Sequence, residues 1–393
     1  MHLLWLLSAA AATIVSAGPV KPAPAPAWTP DSTAGTDKLA AVGLLKLAAS
    51  QYSSGAPGTC NIRTAAQRRE WNTLSPKEKK AYISAVQCLQ SKPSQIGSAA
   101  PGAKNRYDDF VAIHIQQTLS IHGTGNFLSW HRYFTWAYEQ ALRNECGYTG
   151  YQPYLNWGKL ASNPRAAPVF DGSDTSMSGD GAYREHPPAV IFAAATPPLT
   201  LPPGNGGDCI TNGPFKDYQV NLGPLSPVLP YAPANPSPDG LGYNPRCIRR
   251  DISSAASTSN LYDQNSTTLI NNNQDILSFQ NTMQGDFPNG FIGVHTAGHF
   301  LVGGDPGGDL FASPGDPYFF LHHGQIDRTW WIWQNQDLAT REKALAGTLT
   351  LFNNPPSRDT ALTDAIDLGV LAKTVTIGDV MSTTKGPLCY IYV

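Results

Sequence analysis

FIGVHTAGHFLVGGDPGGDLFASPGDPYFFLHHGQIDRTWWIWQ, residues 291–334, decides how the rest of the chain is read. It holds four of the nine histidines. His295 and His299 are four apart, which on a helix puts both imidazoles on one face, one turn apart. A glycine-rich loop follows, and His322 and His323 open a second, aromatic-rich helical pattern. Taken alone, such a pair is as readily explained by core histidines bonded to backbone. A second cluster, HIQQTLSIHGTGNFLSWHRYF at residues 114–134, carries His114, His122 and His131 and tips the balance toward a metal site built from facing helices. His2 and His186 alone fall outside the two windows.

Two three-histidine sets suggest two metals. No cysteine lies beside either set, and no carboxylate lies within the 295/299 pair. All-imidazole ligation suits copper, zinc, iron or nickel, so ligand type alone leaves the metal open. Position 296 is Thr, so the general-base Glu of an HExxH zinc hydrolase is missing.

HGTGNFLSWHRYF (122–134), HTAGH (295–299) and DPYFFLHHGQIDRTWWIWQ (316–334) resemble the two copper-binding motifs of tyrosinases, catechol oxidases and molluscan-type hemocyanins, the type 3 dicopper proteins. The resemblance extends to Tyr390-Ile391-Tyr392 and covers roughly residues 60–393; lengths and loops are most similar to short fungal polyphenol oxidases. It implies two copper ions, one held by His114, His122 and His131, the other by His295, His299 and His323. The family's DPxFxxHHxxxD pattern uses the second histidine of the pair, which leaves His322 a supporting place. Asp327 is implied as an acceptor that orients a ligand; its alternative is a helix-surface ion pair with Arg328 or Arg132. Phe319 matches the phenylalanine that packs on ligating rings. Asp316-Pro317 is expected to open the helix, Asp as cap and Pro in the first turn. Ser120 and Ile121 precede His122, so no thioether from an immediate neighbour is expected.

The implied partners are a small phenolic substrate and O2, and the implied reaction is oxidation of o-diphenols to o-quinones. Hydroxylating a monophenol also needs its proton removed, a step associated in the family with a Glu and with an Asn after the first ligand of the second copper. Here Thr296 follows His295, and the upstream candidates are Gln284, which cannot act as a base, and Asp286, which could if it points inward and is otherwise a solvated loop carboxylate. Phe300 follows His299 and is bulky enough to press on a substrate ring. The balance favours o-diphenols, with monophenol hydroxylation weak or selective. The alternative is a hemocyanin-like dioxygen-binding protein. The chain has no repeat and too little sequence after residue 334 for a large shielding domain, which favours the enzyme.

Composition bounds the rest. Charged residues are 14% of the 393 and the formal net charge is −2, with no basic stripe, so nucleic acid is not an expected partner. Residues 1–17, MHLLWLLSAAAATIVSA, read as a secretory signal, too short an apolar run to span a bilayer. Residues 18–36 read as a proline-rich spacer, and 37–393 as a single tyrosinase-like catalytic domain, because half-sites spread from 114 to 323 must meet in one core. A secreted, extracellular protein with no membrane contact after signal removal follows. Its six cysteines point to disulfides in any of ~15 connectivities. Asn265-Ser266-Thr267 is the clear glycosylation sequon.

The expected fold is mainly α: a four-helix bundle around a dinuclear copper site, with long loops and a few short peripheral strands. Helices are expected at 37–52, from a Ser75 cap to about Leu89, at 105–120, about 129–144, near 267–283, at 289–300 and at 322–338. Short strands are expected at TLTLF and KTVTI in the tail. The 150–260 stretch, rich in Pro, Gly, Asn and Ser, reads as long loops pinned by Cys209 and Cys247 that frame the mouth of the site.

Overall fold

The structure, a computed structural model, describes residues 28–53 and 60–393; the signal reading and most of the spacer lie outside those residues. The first helix, α1 (Ala34–Ser53), starts three residues inside the expected spacer. A three-residue strand, β1 (Ala66–Arg68), precedes α2 (Pro76–Ser91). The start of α2 follows from chemistry: Ser75 Oγ accepts the Glu78 N–H at 3.3 Å, and the Glu78 carboxylate accepts the Ser75 N–H at 2.7 Å. Asn105 and Asp108 repeat that reciprocal cap at the start of α3 (Arg106–Ile121). Next, α4 (Phe127–Cys146) ends at Gly147, whose φ of 68° is the left-handed conformation that favours glycine.

The long middle stretch carries only short paired segments: β2 (Gly181–Tyr183) with β5 (Gly207–Ile210), β3 (Ala189–Phe192) with β4 (Leu199–Leu201), and β6 (Gln219–Val220) with β7 (Arg246–Cys247). The Cys209–Cys247 disulfide pins it. Helices resume as α5 (Ser254–Asn260), α6 (Asp263–Asn272) and α7 (Ile276–Gln284). The single helix expected near 267–283 is thus two, because Asp275 caps a fresh start by accepting the Ser278 N–H at 2.8 Å. The helix expected from 289 begins at Gly293 as α8 (Gly293–Val302), after a 3-10 turn at Phe287–Asn289. The helix expected at 322 begins at Tyr318 as α9 (Tyr318–Gln336). Asp316 contributes to that start, its Oδ1 accepting the Tyr318 N–H at 3.0 Å.

The tail corrects another expectation. TLTLF contains no strand; Leu351–Asn353 is a 3-10 turn in which Phe352 and Asn353 take φ of 50° and 54°. KTVTI shrinks to β9 (Val375–Thr376), paired with β8 (Ala365–Ile366). The last strand, β10 (Tyr390–Tyr392), runs parallel to β1, and Cys60–Cys389 ties the same two regions together. Cys88–Cys146 joins the ends of α2 and α4. All six cysteines are paired, leaving no thiol for a thioether.

The core is helical. The histidine-bearing helices α3, α4, α8 and α9 form its centre, α4 against both α3 and α9, and α8 against α9. Every residue of α9 from Tyr318 to Asn335 is buried, including Trp330, Trp331 and Trp333. A helix enclosed on all sides cannot show a one-faced apolar pattern, and its polar residues must find partners inside.

Asp327 is such a residue, and its place corrects the expectation that it orients a ligand. Its Oδ1 accepts Arg132 Nε at 2.6 Å, and its Oδ2 accepts the Tyr390 and Tyr392 hydroxyls, each at 2.5 Å, and Arg68 Nη1 at 3.4 Å. It bonds to no histidine among the described residues. The Arg132 partnership exists, but in the core rather than on a helix surface. Burial alone would raise the Asp327 pKa; Arg132, Arg68 and the two tyrosines outweigh it and hold the carboxyl below its ordinary value. Arg132 also lies 3.6 Å over the Trp330 ring and donates to the Val380 and Met381 carbonyls. One carboxylate thus joins α9, α4, β1 and β10. Removing it as Asp327→Ala leaves the buried Arg132 guanidinium without a carboxylate and Arg68 with Glu139 alone, at 3.0 Å. A loss of about 3–5 kcal/mol in urea unfolding is expected, against ~0.5 kcal/mol or less for Asp286→Ala on an exposed loop. A loss below ~1 kcal/mol for Asp327→Ala would show that the network does not hold the helices together.

Candidate metal centre

The first histidine set is built at the junction of α3 and α4. His114 lies in α3, His122 is the residue at which α3 ends, and His131 lies in the first turns of α4. Each ring has its Nδ1 against a backbone carbonyl: His114 with Phe311 at 2.7 Å, His122 with Thr118 at 3.0 Å, His131 with Phe127 at 2.8 Å. A carbonyl only accepts, so each Nδ1 carries the proton and each Nε2 keeps its lone pair. The Nε2 atoms of His114 and His131 are buried and meet no protein partner. The three rings lie 5.0–5.7 Å apart, centre to centre. Lone pairs turned inward without a donor are what a cation requires and what an apolar core avoids.

The second set comes from α8 and α9. His295 and His299 lie one turn apart, as their spacing predicts. His299 Nε2 is 3.1 Å from His295 Nε2 and 3.2 Å from His323 Nε2. Three imidazole nitrogens bound to one ion at about 2.0–2.1 Å in tetrahedral directions stand roughly 3.3 Å apart. The packing therefore already has the spacing of a ligand set. His322 is different: neither ring nitrogen has a protein partner, and the ring stacks beside His295 and Tyr318. It fills the space over Gly298, where a Cβ would come within 2.1 Å of the ring. The four rings nonetheless bring candidate ligand atoms within 4.8 Å of one another. The short Nε2 contacts favour His323, and the close fit over Gly298 gives His322 a packing role.

The two sets adjoin. His131 stacks on His323 with centres 4.5 Å apart and planes 16° apart, and His122 is 5.9 Å from His295. Phe319 stacks on His323 at 4.1 Å and meets His114 edge-on at 5.4 Å, touching a ring of each set. Burial, and then the neighbouring imidazoles, push the pKa of His114, His131, His295, His299 and His323 far below 6.5; burial alone pushes His122 down to about 4 and His322 to about 3. At neutral pH all seven rings are uncharged, the form that binds a metal.

A cavity of about 240 Å³ opens onto His122, His295 and His299. Thr296 and Phe300 line it, as does Gln284. Gln284 Oε1 accepts the Gly123 N–H at 2.7 Å, and Thr296 Oγ1 donates to the Gln284 backbone carbonyl at 2.7 Å, so this residue, through side chain and backbone together, is a strut between the His122 loop and the start of α8. Asp286 does not point inward. It is exposed, with its carboxylate bonded to Asn289 Nδ2, which removes it as a candidate base.

Sequence reasoning missed three features here. Asp309 lines the cavity, and its two oxygens accept four backbone N–H groups, from Leu225, Ser226, Phe311 and Ala312. The β3–β4 hairpin supplies Val190, Ile191 and Phe192, and the tail supplies Leu351 and Phe352. The apolar AVIF run at 189–192 was the available signal for the hairpin; nothing local marked Asp309 or the tail.

Comparison with known proteins gives three findings. Residues 104–336 match the family description "Common central domain of tyrosinase". Curated relatives include Tyrosinase P of Aspergillus terreus, 41% identical over 332 residues (83% of this chain, 91% of that one), and an N-acetyl-6-hydroxytryptophan oxidase of Emericella nidulans, 40% identical over 353 residues (85% and 93%). Among solved structures, a polyphenol oxidase variant from Thermothelomyces thermophila superposes with a TM-score of 0.83 at 42% identity, covering 92% of this chain and 97% of that one.

The depressed imidazole pKa values make acid sensitivity a consequence of the site. The unfolded chain binds more protons than the folded one once pH falls below the ordinary histidine value of 6.5, so stability declines as pH drops from there towards about 3, where His322 also protonates in place. The buried carboxyls Glu70, Asp108, Asp180 and Asp309, which burial raises, act in the opposite sense against the seven depressed imidazoles. The metal-free protein is expected to lose several degrees of Tm between pH 7 and pH 5, before ordinary carboxylates titrate. A Tm that is flat or rises over that interval would contradict the assignment of neutral buried rings.

Proposed function

The chain belongs to the tyrosinase family of type 3 copper proteins, a copper-dependent oxidoreductase family with a dinuclear copper centre, and from that premise we propose that it oxidises o-diphenols to o-quinones with O2. In this reading His114, His122 and His131 hold one copper and His295, His299 and His323 the other. The observation that carries it is the convergence of six imidazoles in two adjoining trios beneath a cavity, with the Nε2 atoms of His114 and His131 partnerless and those of His295 and His323 each facing His299 Nε2. The fit to copper rests on the donor set, all imidazole and all neutral.

When bound, copper supplies the electron transfer by which two electrons leave the diphenol for O2, with the diphenol's two protons leaving as well. The chain's own groups do the rest. The carbonyls of Phe311, Thr118 and Phe127 hold the Nδ1 protons and so aim the first trio. Phe319 fixes ring planes in both trios by stacking. Phe300, Thr296 and the strut at Gln284 shape the wall against which the ring is placed.

Preference for diphenols follows from what the cavity offers as a base. Asp309 has both oxygens occupied by four N–H groups, Gln284 is an amide already engaged, and Asp286 faces solvent. A monophenol would enter without a group to take its proton, a contribution of about 10²–10⁴-fold where one is present. The open cavity also distinguishes an oxidase from the alternative, a dioxygen carrier, since it gives a phenol a route to the centre. The protein is read as secreted, with residues 1–17 as the signal, 18–36 as spacer and 37–393 as one catalytic domain; three disulfides fit an oxidising compartment. No helix among the described residues is long and apolar enough to cross a membrane.

Copper analysis tests the ligand assignment: His323→Ala is expected to lose about one of two coppers and all oxidase activity, while His322→Ala retains more metal. The reverse order would overturn the choice of His323. With a catechol and its parent monophenol as substrates, catechol turnover is expected to exceed monophenol turnover by roughly 100-fold or more; comparable rates would refute the diphenol preference.

A further inference from the structure

We infer that the cavity selects uncharged phenols carrying an apolar substituent, and that the Phe192–Phe287 pair is the principal specificity element. The inference rests on the phenol-oxidase reading above and adds to it the class of substituent.

The cavity wall is the first observation. Phe192 on β3 stacks on Phe287 from the turn before α8, with ring centres 5.6 Å apart and planes 28° apart, so two segments distant in sequence close one side of the opening. Phe300 lines the inner wall, and Val190, Leu310 and Phe352 stand around the rim. Those three are 51%, 39% and 68% exposed, an amount of apolar surface in water that is usually kept where something apolar will cover it.

Charge is the second. Among the described residues neither Lys nor Arg lines the cavity, and the one carboxylate there, Asp309, is already saturated by backbone N–H groups. An anionic tail would be desolvated with no cation to meet it, and an ammonium tail would find no free carboxylate; either cost exceeds what the wall returns for methylene groups.

The backbone at Phe352 is the third. Two successive non-glycine residues, Phe352 and Asn353, hold φ of 50° and 54°, a conformation that costs free energy and persists where surroundings impose it. The Phe352 N–H is bonded to the Gly123 carbonyl at 3.1 Å, and its ring lies on Gly123, where a Cβ would come within 3.0 Å of it. Gly123 itself has φ of 57° and directly follows His122. The phenyl is thus fastened to the rim one residue from a proposed copper ligand, where it faces the substituent of a ring placed at the centre.

The test separates this inference from the oxidase reading by using ligands that lack an o-diphenol, titrated in the absence of O2. A 1,3-diol cannot lose two electrons and two protons to give a quinone, so 4-butylresorcinol and 3-(2,4-dihydroxyphenyl)propionate present the same ring with a neutral or an anionic tail. Calorimetric titration of the copper-loaded protein is expected to show at least roughly tenfold tighter binding of the butyl compound. The double variant Phe192→Ala/Phe287→Ala is expected to reduce that ratio to within about threefold, and Phe192→Leu, which keeps an apolar side chain there, to preserve most of it. In parallel, the KM ratio between 4-tert-butylcatechol and 3,4-dihydroxyphenylpropionate should move with the same variants, more than kcat does. Equal or tighter binding of the propionate, binding of neither compound, or a ratio unmoved in the double variant would each overturn the inference. Failure to oxidise any catechol, with the binding preference intact, would instead count against the oxidase reading alone.

Discussion

An imidazole that turns one lone pair toward a metal is held in that orientation when its other nitrogen has an acceptor for its proton. The first trio satisfies that constraint at every ring, whereas in the second His295 Nδ1 and His323 Nδ1 are buried without a partner among the described residues. Three carbonyls meet it in the first trio, and two of them, Thr118 and Phe127, lie four residues before the ring they serve. The third, Phe311, comes from the loop between α8 and α9 and serves His114 in α3. Placing that one oxygen is the purpose served by much of the loop's surroundings. Asp309 gathers four backbone N–H groups around it, two from its own loop and two from residues 225 and 226. Arg246 clamps Asp305 through two nitrogens at 2.7 and 2.8 Å, and Arg250 clamps Asp316 in the same way at 2.8 and 2.7 Å. The ends of the loop are thereby fixed to one segment, residues 246–250.

Buried charge has a second organising place, one turn along α9 from His323. Asp327 joins the two long helices to the first and last strands through Arg132, Arg68 and two tyrosines. Such a group is costly in a core unless every lone pair is used. Here it fixes the register of α9 against α4, and with it the height of His323 relative to His131, whose rings stack at 4.5 Å. The link from ion pair to metal site passes through helix register, not through a bond to a ligand.

The helical character, the histidine clusters and the cap at Ser75 were legible in the sequence because each depends on residues within a turn or two of one another; the cap of α9 was placed one residue early, since Pro317 and not Asp316 holds the cap position. The role of Asp327 was legible only in its Arg132 pairing, and for Asp286 the sequence offered both an inward base and the solvated loop carboxylate that the structure shows. Asp327 lies one turn beyond His323, close enough to suggest an orienting bond, but its partners come from positions 68, 132, 390 and 392, and no local pattern points to them. Asp286 stands two residues beyond a side chain that does line the cavity, and the turn at Phe287–Asn289 carries it outward. TLTLF read as a strand from its β-branched and aromatic residues, yet the tail finds no partner strand there and folds as a 3-10 turn against Gly123. What escaped the sequence reading at Asp327 and at TLTLF was decided by contacts from distant segments.

The central claim is that two histidine trios, supplied by four helices, hold two metals side by side. Anomalous diffraction at the copper edge from crystals of the copper-loaded protein tests it directly. The account predicts two peaks about 3.5–4 Å apart, each about 2.0–2.1 Å from three Nε2 atoms, those of His114, His122 and His131 for one and of His295, His299 and His323 for the other. A single peak, a peak ligated by His322 in place of His323, or two peaks too far apart for one dioxygen to span would contradict it.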